Sequence, residues 1–360
     1  MKLRFLKFLD GFIGPPVVRL AALLLRTPSA ADRSAILFIR PGGIGDAVLL
    51  IPAIQAMKCR FPDATIDVLA EKRNCEVFSL CPDVGRVYRY DRPKELLSAV
   101  QGAYAVVIDT EQWHRLSAVV ARLVRAPTTL GFATNERKKL FTHSIAYAQD
   151  DYELDSFLHL IEPLAGTATQ NRDDPFVTVP EPSRSTVRPL LHALRKNKIV
   201  TLFPGGSIAE RRWGSERFRE VAKRLSDRGH GIVVVGGKDD APAGEDIVRV
   251  IRNSLSLCGQ LSLPETAAVL QESALLVSGD SGVMHLGYAV GTKVIALFGP
   301  GREKKWAPQS SRVAVINKQL ACSPCTTFGY TPKCSKNALC LSGITVDEVV
   351  QQALSLLGTA

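Results

Sequence analysis

The chain has 360 residues, enough for about two domains at ~150 residues each, and a composition that is 46% hydrophobic and 22% charged excludes a disordered protein. Lys and Arg number 45 against 35 Asp and Glu, a formal charge of +10 that points to anionic partners: nucleic acid, phosphorylated small molecules or a membrane surface. No uninterrupted apolar run approaches the ~20 residues that cross a bilayer, which excludes a polytopic membrane protein.

The charge is concentrated at the start. Residues 1–34 hold Lys2, Arg4, Lys7, Arg19, Arg26 and Arg33 against Asp10 and Asp32, so +4 of the +10 sits there. These cations alternate with Leu3, Phe5, Phe8, Phe12, Val18 and Leu20. A secretory signal fits poorly, because Asp10, Gly11, the Pro15-Pro16 pair and Arg19 interrupt any apolar region. The segment suits either a basic amphipathic stretch at the headgroup level of a membrane or a helix packed on the protein's own surface.

Beyond residue 34, short β-rich runs alternate with helical stretches, as in parallel α/β units. Strands are predicted over 35–40, 65–70, 86–90 and 103–109, with helices over 46–61 and 114–124 between them. A second series comes at 198–203, 231–236, 254–257, 274–278 and 293–298, with a helix over 215–228 that Ser215 is placed to cap. The Pro-, Ser- and Thr-containing stretch over 171–185 separates the two. The predicted organisation is an N-terminal basic segment (1–34), a Rossmann-like domain (35–170), a linker (171–185) and a second Rossmann-like domain (186–360). The expected class is α/β, two doubly wound domains facing a central cleft.

The halves echo one another: ILFIRPGGI (36–44) and VTLFPGGSI (200–208) both run a strand into Pro-Gly-Gly. Such glycines let the backbone turn sharply and approach a ligand at the carboxyl end of a strand. The first loop, with Gly42, Gly43 and Gly45, lacks the Gly-Lys-Ser/Thr ending of a triphosphatase loop and delivers a carboxylate, Asp46, to a helix N-terminus. That terminus favours an anion, and a carboxylate there repels a pyrophosphate. Asp46 therefore suits a general base or hydroxyl recognition, or a plain helix cap.

The second half carries phosphate signals. FPGGSIAERRW (203–213) and FGPGREKKW (298–306) each follow a strand with a Gly turn, Glu, two cations and Trp. Arg211-Arg212 and Lys304-Lys305 are thus placed to converge on an anion. Between them SGDSGVMH (278–285) turns through Asp280-Ser281-Gly282 into a helix whose first amides suit a diphosphate, with His285 one turn further on.

RPGGIGDAVLLIPAI (40–54), FPGGSIAERRW and SGDSGVMHLGYAVGTKVIALFGP (278–300), in this order, resemble the heptosyltransferases of glycosyltransferase family 9, over residues 35–357. The resemblance implies the GT-B architecture, an ADP-heptose donor, a lipid A–core or other lipid-linked saccharide acceptor, and inversion at the anomeric carbon. It implies Asp46 as the catalytic carboxylate. On the donor side it implies Ser207 and Arg211, where Lys is usual; Asp240 on the ribose, where Glu is usual; Leu261 against adenine; and Asp280, Ser281, Gly282 and His285 around the diphosphate. The acceptor-side loop is that of Gly42, Gly43 and Gly45. No cofactor is required for catalysis, and the expected location is the cytoplasm, peripheral on the inner membrane.

Cys322-x2-Cys325-x8-Cys334-x5-Cys340 has a spacing that suits a structural Zn or Fe site, a pair of disulfides, or a reduced loop. A sugar-nucleotide epimerase and a non-catalytic lipopolysaccharide-binding protein of the same fold are the competing functions. Nucleic acid is disfavoured as a partner because the cations lack interleaved aromatics along a stripe.

Overall fold

Strands that pair in parallel and are covered by helices on both faces read as continuous apolar runs, not as alternating ones. The run Ala35–Arg40 is such a case, buried at every residue after the first. The computed structural model describes residues 2–24, 34–194, 198–327 and 330–358, and divides into two compact units, Met1–Gln170 and Asn171–Ala360. Residues 25–33, with Arg26, Asp32 and Arg33 of the basic segment, lie outside the described residues.

The first unit holds strands β1 (Ala35–Arg40), β2 (Ile66–Ala70), β3 (Val84–Arg89), β4 (Tyr104–Asp109), β5 (Thr128–Phe132) and β6 (His143–Ile145). Its helices are α1 (Lys2–Leu24), α2 (Ile44–Arg60), α3 (Pro93–Gln101), α4 (Arg115–Leu123) and α5 (Glu153–Ala165). The sheet order is β3-β2-β1-β4-β5-β6, with Ile36 of β1 opposite Ile66 of β2 and Val106 of β4. The second unit holds β7 (Ile199–Phe203), β8 (Gly231–Val234), β9 (Ser254–Ser256), β10 (Leu275–Gly279), β11 (Lys293–Phe298) and β12 (Val313–Asn317). With them run α6 (Glu181–Leu191), α7 (Ser215–Ser226), α8 (Ala241–Val248), α9 (Leu263–Gln271), α10 (Gly282–Ala289), α11 (Glu303–Trp306), α12 (Leu339–Ser342) and α13 (Val346–Leu357). Its order, β9-β8-β7-β10-β11-β12, is the same topology, and every strand pair in both sheets is parallel.

In each sheet the order reverses between the first and fourth strands. Loops leaving the carboxyl ends there diverge and open a crevice, which is where open α/β sheets bind ligands. The reversal falls between β1 and β4 in one unit and between β7 and β10 in the other.

Three strands, β5, β6 and β12, go beyond the predicted series. The predicted linker is helical from residue 181, where α6 begins. Ser215 is the first residue of α7 and not its cap: that position is Gly214, with φ 111°, and no side chain bonds the helix end. The N-terminal segment forms one helix that continues through Pro15 and Pro16.

Candidate functional site

At the first reversal, β1 delivers Arg40 and the loop to Asp46, and β4 delivers Asp109 to Gln112. Gly42 has φ +119°, and a Cβ there would lie 2.8 Å from Nη2 of Arg40, so only glycine lets the chain turn over the guanidinium. Gly43 precedes α2 with no side-chain cap bond, and Asp46 stands in the first turn, capping nothing. The alternative of Asp46 as a helix cap is therefore not what this structure contains.

Arg40 is buried at 1% exposure, with Phe157 beneath its guanidinium. Its Nη1 donates to the Thr110 carbonyl at 2.8 Å and stands 3.9 Å from Asp46, while Nη2 reaches Glu111 at 3.5 Å. Burial opposes the arginine's charge, but Asp46, Glu111, Glu153 and Asp109 outweigh it and raise its pKa. For Glu111, burial raises the pKa and Arg40, His114 and Arg137 more than reverse that, so its carboxyl lies below the usual range. Asp109 goes the other way: burial pushes it up despite Arg137 at 2.5 Å.

Gln112 joins this cluster to Asp46. Its Nε2 donates to Asp46 Oδ1 at 2.9 Å and to Glu153 Oε1 at 2.6 Å, and its Oε1 accepts from Arg40 at 3.4 Å. The amide is thereby fixed in one orientation, with its oxygen on the cation and both N–H groups on carboxylates. Tyr147 donates to the other oxygen of Glu153 at 2.9 Å, and burial followed by the charge of Glu153 keeps its phenol protonated well above the ordinary value. Asp46 retains 21% side-chain exposure at the rim of the buried set. The arrangement is a partly exposed carboxylate held in one orientation by the Gln112 amide, with a buried guanidinium 3.9 Å away.

At the second reversal, the loops after β7 and β10 meet. Nη1 of Arg211 lies 3.0 Å from the buried carboxylate of Asp280, and a Cβ on Gly279 would lie 3.0 Å from the carbonyl of Arg211. Ser281 caps α10, accepting from the Met284 amide at 3.2 Å and sharing a 2.9 Å hydroxyl contact with Ser278. The amides of Gly282 and Val283 then point out of the helix start without intrahelical acceptors, a site for an anion. His285 is buried, its ring edge-on to Trp306 at 6.3 Å.

One strand further along, Asp240 sits in a glycine cradle. It accepts from the Gly237 amide at 2.9 Å, and a Cβ on Gly205 would lie 2.4 Å from its Oδ1. Half-buried Leu261 comes after β9, beyond Asp240, and Ser207 is exposed on the loop after β7. Each of the two basic pairs divides: Arg211 and Lys305 turn inward, whereas Arg212 and Lys304 are exposed. Trp213 is core, its Nε1 donating to the Ile344 carbonyl at 3.0 Å. The structure thus groups Ser207, Arg211, Asp240, Leu261, Asp280, Ser281, Gly282 and His285 along one sheet edge. Arg40, Glu111, Gln112, Tyr147 and Glu153 form the setting of Asp46 that sequence reasoning missed. Arg40 opens the motif of residues 40–54, and Glu111 and Gln112 are polar residues directly after a central strand; Tyr147 and Glu153 carried no signal.

The structure gives the metal expectation no support. Among the described residues no three His, Cys, Asp or Glu side chains converge to hold an ion, and Cys322, Cys325, Cys334 and Cys340 are free thiols. They share a region, since burial and then the neighbouring thiols raise the pKa of both Cys325 and Cys340.

The model of glycosyltransferase family 9 (heptosyltransferase) matches residues 95–334. The chain is similar to lipopolysaccharide heptosyltransferase 3 of Escherichia coli strain K12, 27% identical over 292 residues that cover 75% of this chain and 83% of that protein. Its fold is similar to a family 9 glycosyl transferase from Veillonella parvula, with a TM-score of 0.77 at 20% identity, covering 92% of this chain and 99% of that one. It is also similar to ADP-heptose lipopolysaccharide heptosyltransferase II of E. coli, with a TM-score of 0.73 at 23% identity, covering 90% and 98%. Two parallel six-stranded sheets of this kind are the GT-B architecture. The chain is a glycosyltransferase and belongs to glycosyltransferase family 9, the heptosyltransferases.

Proposed function

We propose that this enzyme transfers a heptose from an ADP-sugar to the saccharide core of lipopolysaccharide, with inversion at the anomeric carbon and Asp46 as general base. The observation that carries the donor half is the order of side chains along the carboxyl edge of the second sheet. Leu261 comes after β9, Asp240 after β8, Ser207 and Arg211 after β7, and Asp280 to Gly282 after β10. That sequence of apolar, acidic, then cationic and amide groups matches base, ribose and diphosphate laid across adjacent strands. The names of the relatives, lipopolysaccharide heptosyltransferases, one of them an ADP-heptose enzyme, support the same substrates.

In the reaction, Asp46 takes the proton of an acceptor hydroxyl as its oxygen bonds to the anomeric carbon. The bond from that carbon to the diphosphate oxygen breaks on the opposite face, through an oxocarbenium-like transition state. The negative charge gathering on the diphosphate is met by Arg211 and the Gly282 and Val283 amides. The acceptor is lipid-linked, so the enzyme works on the cytoplasmic side of the inner membrane, as a peripheral protein.

A panel of ADP-, UDP- and GDP-sugars against truncated lipopolysaccharides tests this. Transfer from ADP-heptose alone supports it; conversion of the donor to its epimer without acceptor makes the protein an epimerase. Asp46→Asn is expected to abolish transfer, a loss of about 10²–10⁴-fold, with ADP affinity retained; equal loss of both would make Asp46 structural.

A further inference from the structure

Helix α1 is fixed to the first unit by one face. Asp10 Oδ1 accepts from the amides of Arg115 and Leu116, both at 2.8 Å, and so caps α4. Val18 and Ala21 pack with Ala118 and Leu140. Gly14 lies so close to Arg115 that a Cβ would stand 2.8 Å from its Cδ. Asp10, Gly14, Val18 and Ala21 are spaced as one face of a helix.

The opposite face is apolar and open. Phe12, Pro16, Arg19, Leu20 and Leu23 lie along it at the same helical spacing, and Phe12 is 77%, Leu20 57% and Leu23 81% exposed. Ile13 and Leu24 widen the stripe. Single exposed leucines are ordinary, but five exposed large apolar side chains on one anchored helix are not.

Charge and backbone select the occupant. Asp10 is the helix's only acid and it is buried in the cap, and every other charged residue in the helix is a cation: Lys2, Arg4, Lys7 and Arg19. The turn Glu136–Leu140 that α1 packs against adds exposed Lys138 and Lys139, and its one acid, Glu136, is paired with Arg115 at 2.9 Å. No helix among the described residues is long and apolar enough to cross a membrane. Pro15 and Pro16 lack an N–H, which leaves the carbonyls of exposed Gly11 and Phe12 without helical donors. Such carbonyls are satisfied at the hydrated headgroup level and not in the hydrocarbon. An apolar stripe rimmed by cations, with wet carbonyls along it, fits a helix lying in the interface.

We propose that the outward face of α1 is the surface by which this enzyme docks on an anionic lipid bilayer. Phe12, Leu20 and Leu23 enter the headgroup boundary, while Arg19, Lys138 and Lys139 meet lipid phosphates. The inference deepens the peripheral-membrane location put forward under Proposed function and rests on it.

The test uses the full chain and a double variant, Leu20→Glu with Leu23→Glu, both at exposed positions. Wild type is expected to sediment with phosphatidylglycerol-containing vesicles at least tenfold better than with pure phosphatidylcholine vesicles. The variant, with an unchanged melting temperature, loses at least tenfold of that binding and keeps transfer to a delipidated soluble acceptor within twofold. The proposal is overturned if wild type ignores the anionic vesicles, if the variant binds them unchanged, or if gel filtration shows a wild-type dimer that the variant dissociates, which would make a second copy the occupant. Transfer to the soluble acceptor is read without vesicles, so failure of docking and failure of the transferase assignment give different results.

Discussion

The bridge at Gln112 sets a quantitative expectation for a residue that no motif marks. Gln112→Leu keeps the volume of the side chain and removes both donors, so Asp46 and Glu153 each lose one hydrogen bond, at 2.9 and 2.6 Å. A hydrogen bond to a charged group contributes about 1.5–3 kcal/mol. If Asp46 must be held in one orientation for the hydroxyl proton, its share appears in the barrier, and each 1.36 kcal/mol there is about tenfold in rate. The expected fall in kcat is about 10- to 150-fold. Because the donor residues belong to the second unit, the donor KM should stay within about twofold. Initial rates of ADP release with a soluble acceptor, varied in each substrate, measure both constants, and a melting curve shows that the variant is folded. A folded Gln112→Leu with unchanged kcat would refute the positioning argument. So would a rise in acceptor KM alone, since that would make Gln112 a ground-state contact.

Other consequences come from single contacts. Gly205→Ala puts a Cβ 2.4 Å from the Asp240 carboxylate and must displace it, so donor KM should rise about tenfold, the equivalent of one hydrogen bond; an unchanged KM would remove Asp240 from the donor site. Arg40→Met strips buried Glu111 and partly exposed Asp46 of their cation, and urea denaturation should show a loss of about 3–5 kcal/mol, with Arg40→Lys intermediate. Glu348 has its pKa lowered to about 2, first by Lys318 and then by the Thr345 amide. A depressed carboxylate stabilises the fold above its unfolded value near 4.5 and loses that contribution as pH falls toward 2. Glu348→Gln should therefore melt about 2–4 °C lower at pH 7, a modest shift because the pair is partly exposed, with the difference shrinking below about pH 4.5; a constant difference would show that charge is not the cause.

Legibility in the sequence tracks burial. β1, β7 and β11 are apolar runs buried from both sides, and their period and length stand out. β6 is a three-residue edge strand with two exposed residues, and β12 is half-buried throughout, so neither shows a pattern to read. β5 reads Thr-Thr-Leu-Gly-Phe, and its glycine, which weakens a strand by pattern, is required by the Phe141 ring, 2.2 Å from where a Cβ would stand. The same division holds in the site. Asp46 and Asp280 travel with glycine turns and could be found by motif. Glu153 opens α5, and only the fold brings it across 41 positions to Gln112.

The two units have one topology and opposite chemistry, and the difference lies in the loops that leave equivalent strands. After β1 and β4 the loops place Asp46 and Glu111 beside buried Arg40, with Glu153 joined to Asp46 through Gln112, and Asp46 is the carboxylate that stays open at the rim. After β7 and β10 the equivalent loops place Arg211 and the open end of α10, and the nearby carboxylate of Asp280 is taken up by the arginine. An open carboxylate at a helix start repels a nucleotide and suits contact with a hydroxyl; a helix start lined by a cation and free amides attracts a diphosphate. A basic net charge of +10 therefore conceals a division of labour. The excess is spent on α1 and on the second unit, while the site expected to activate the acceptor is built from acids.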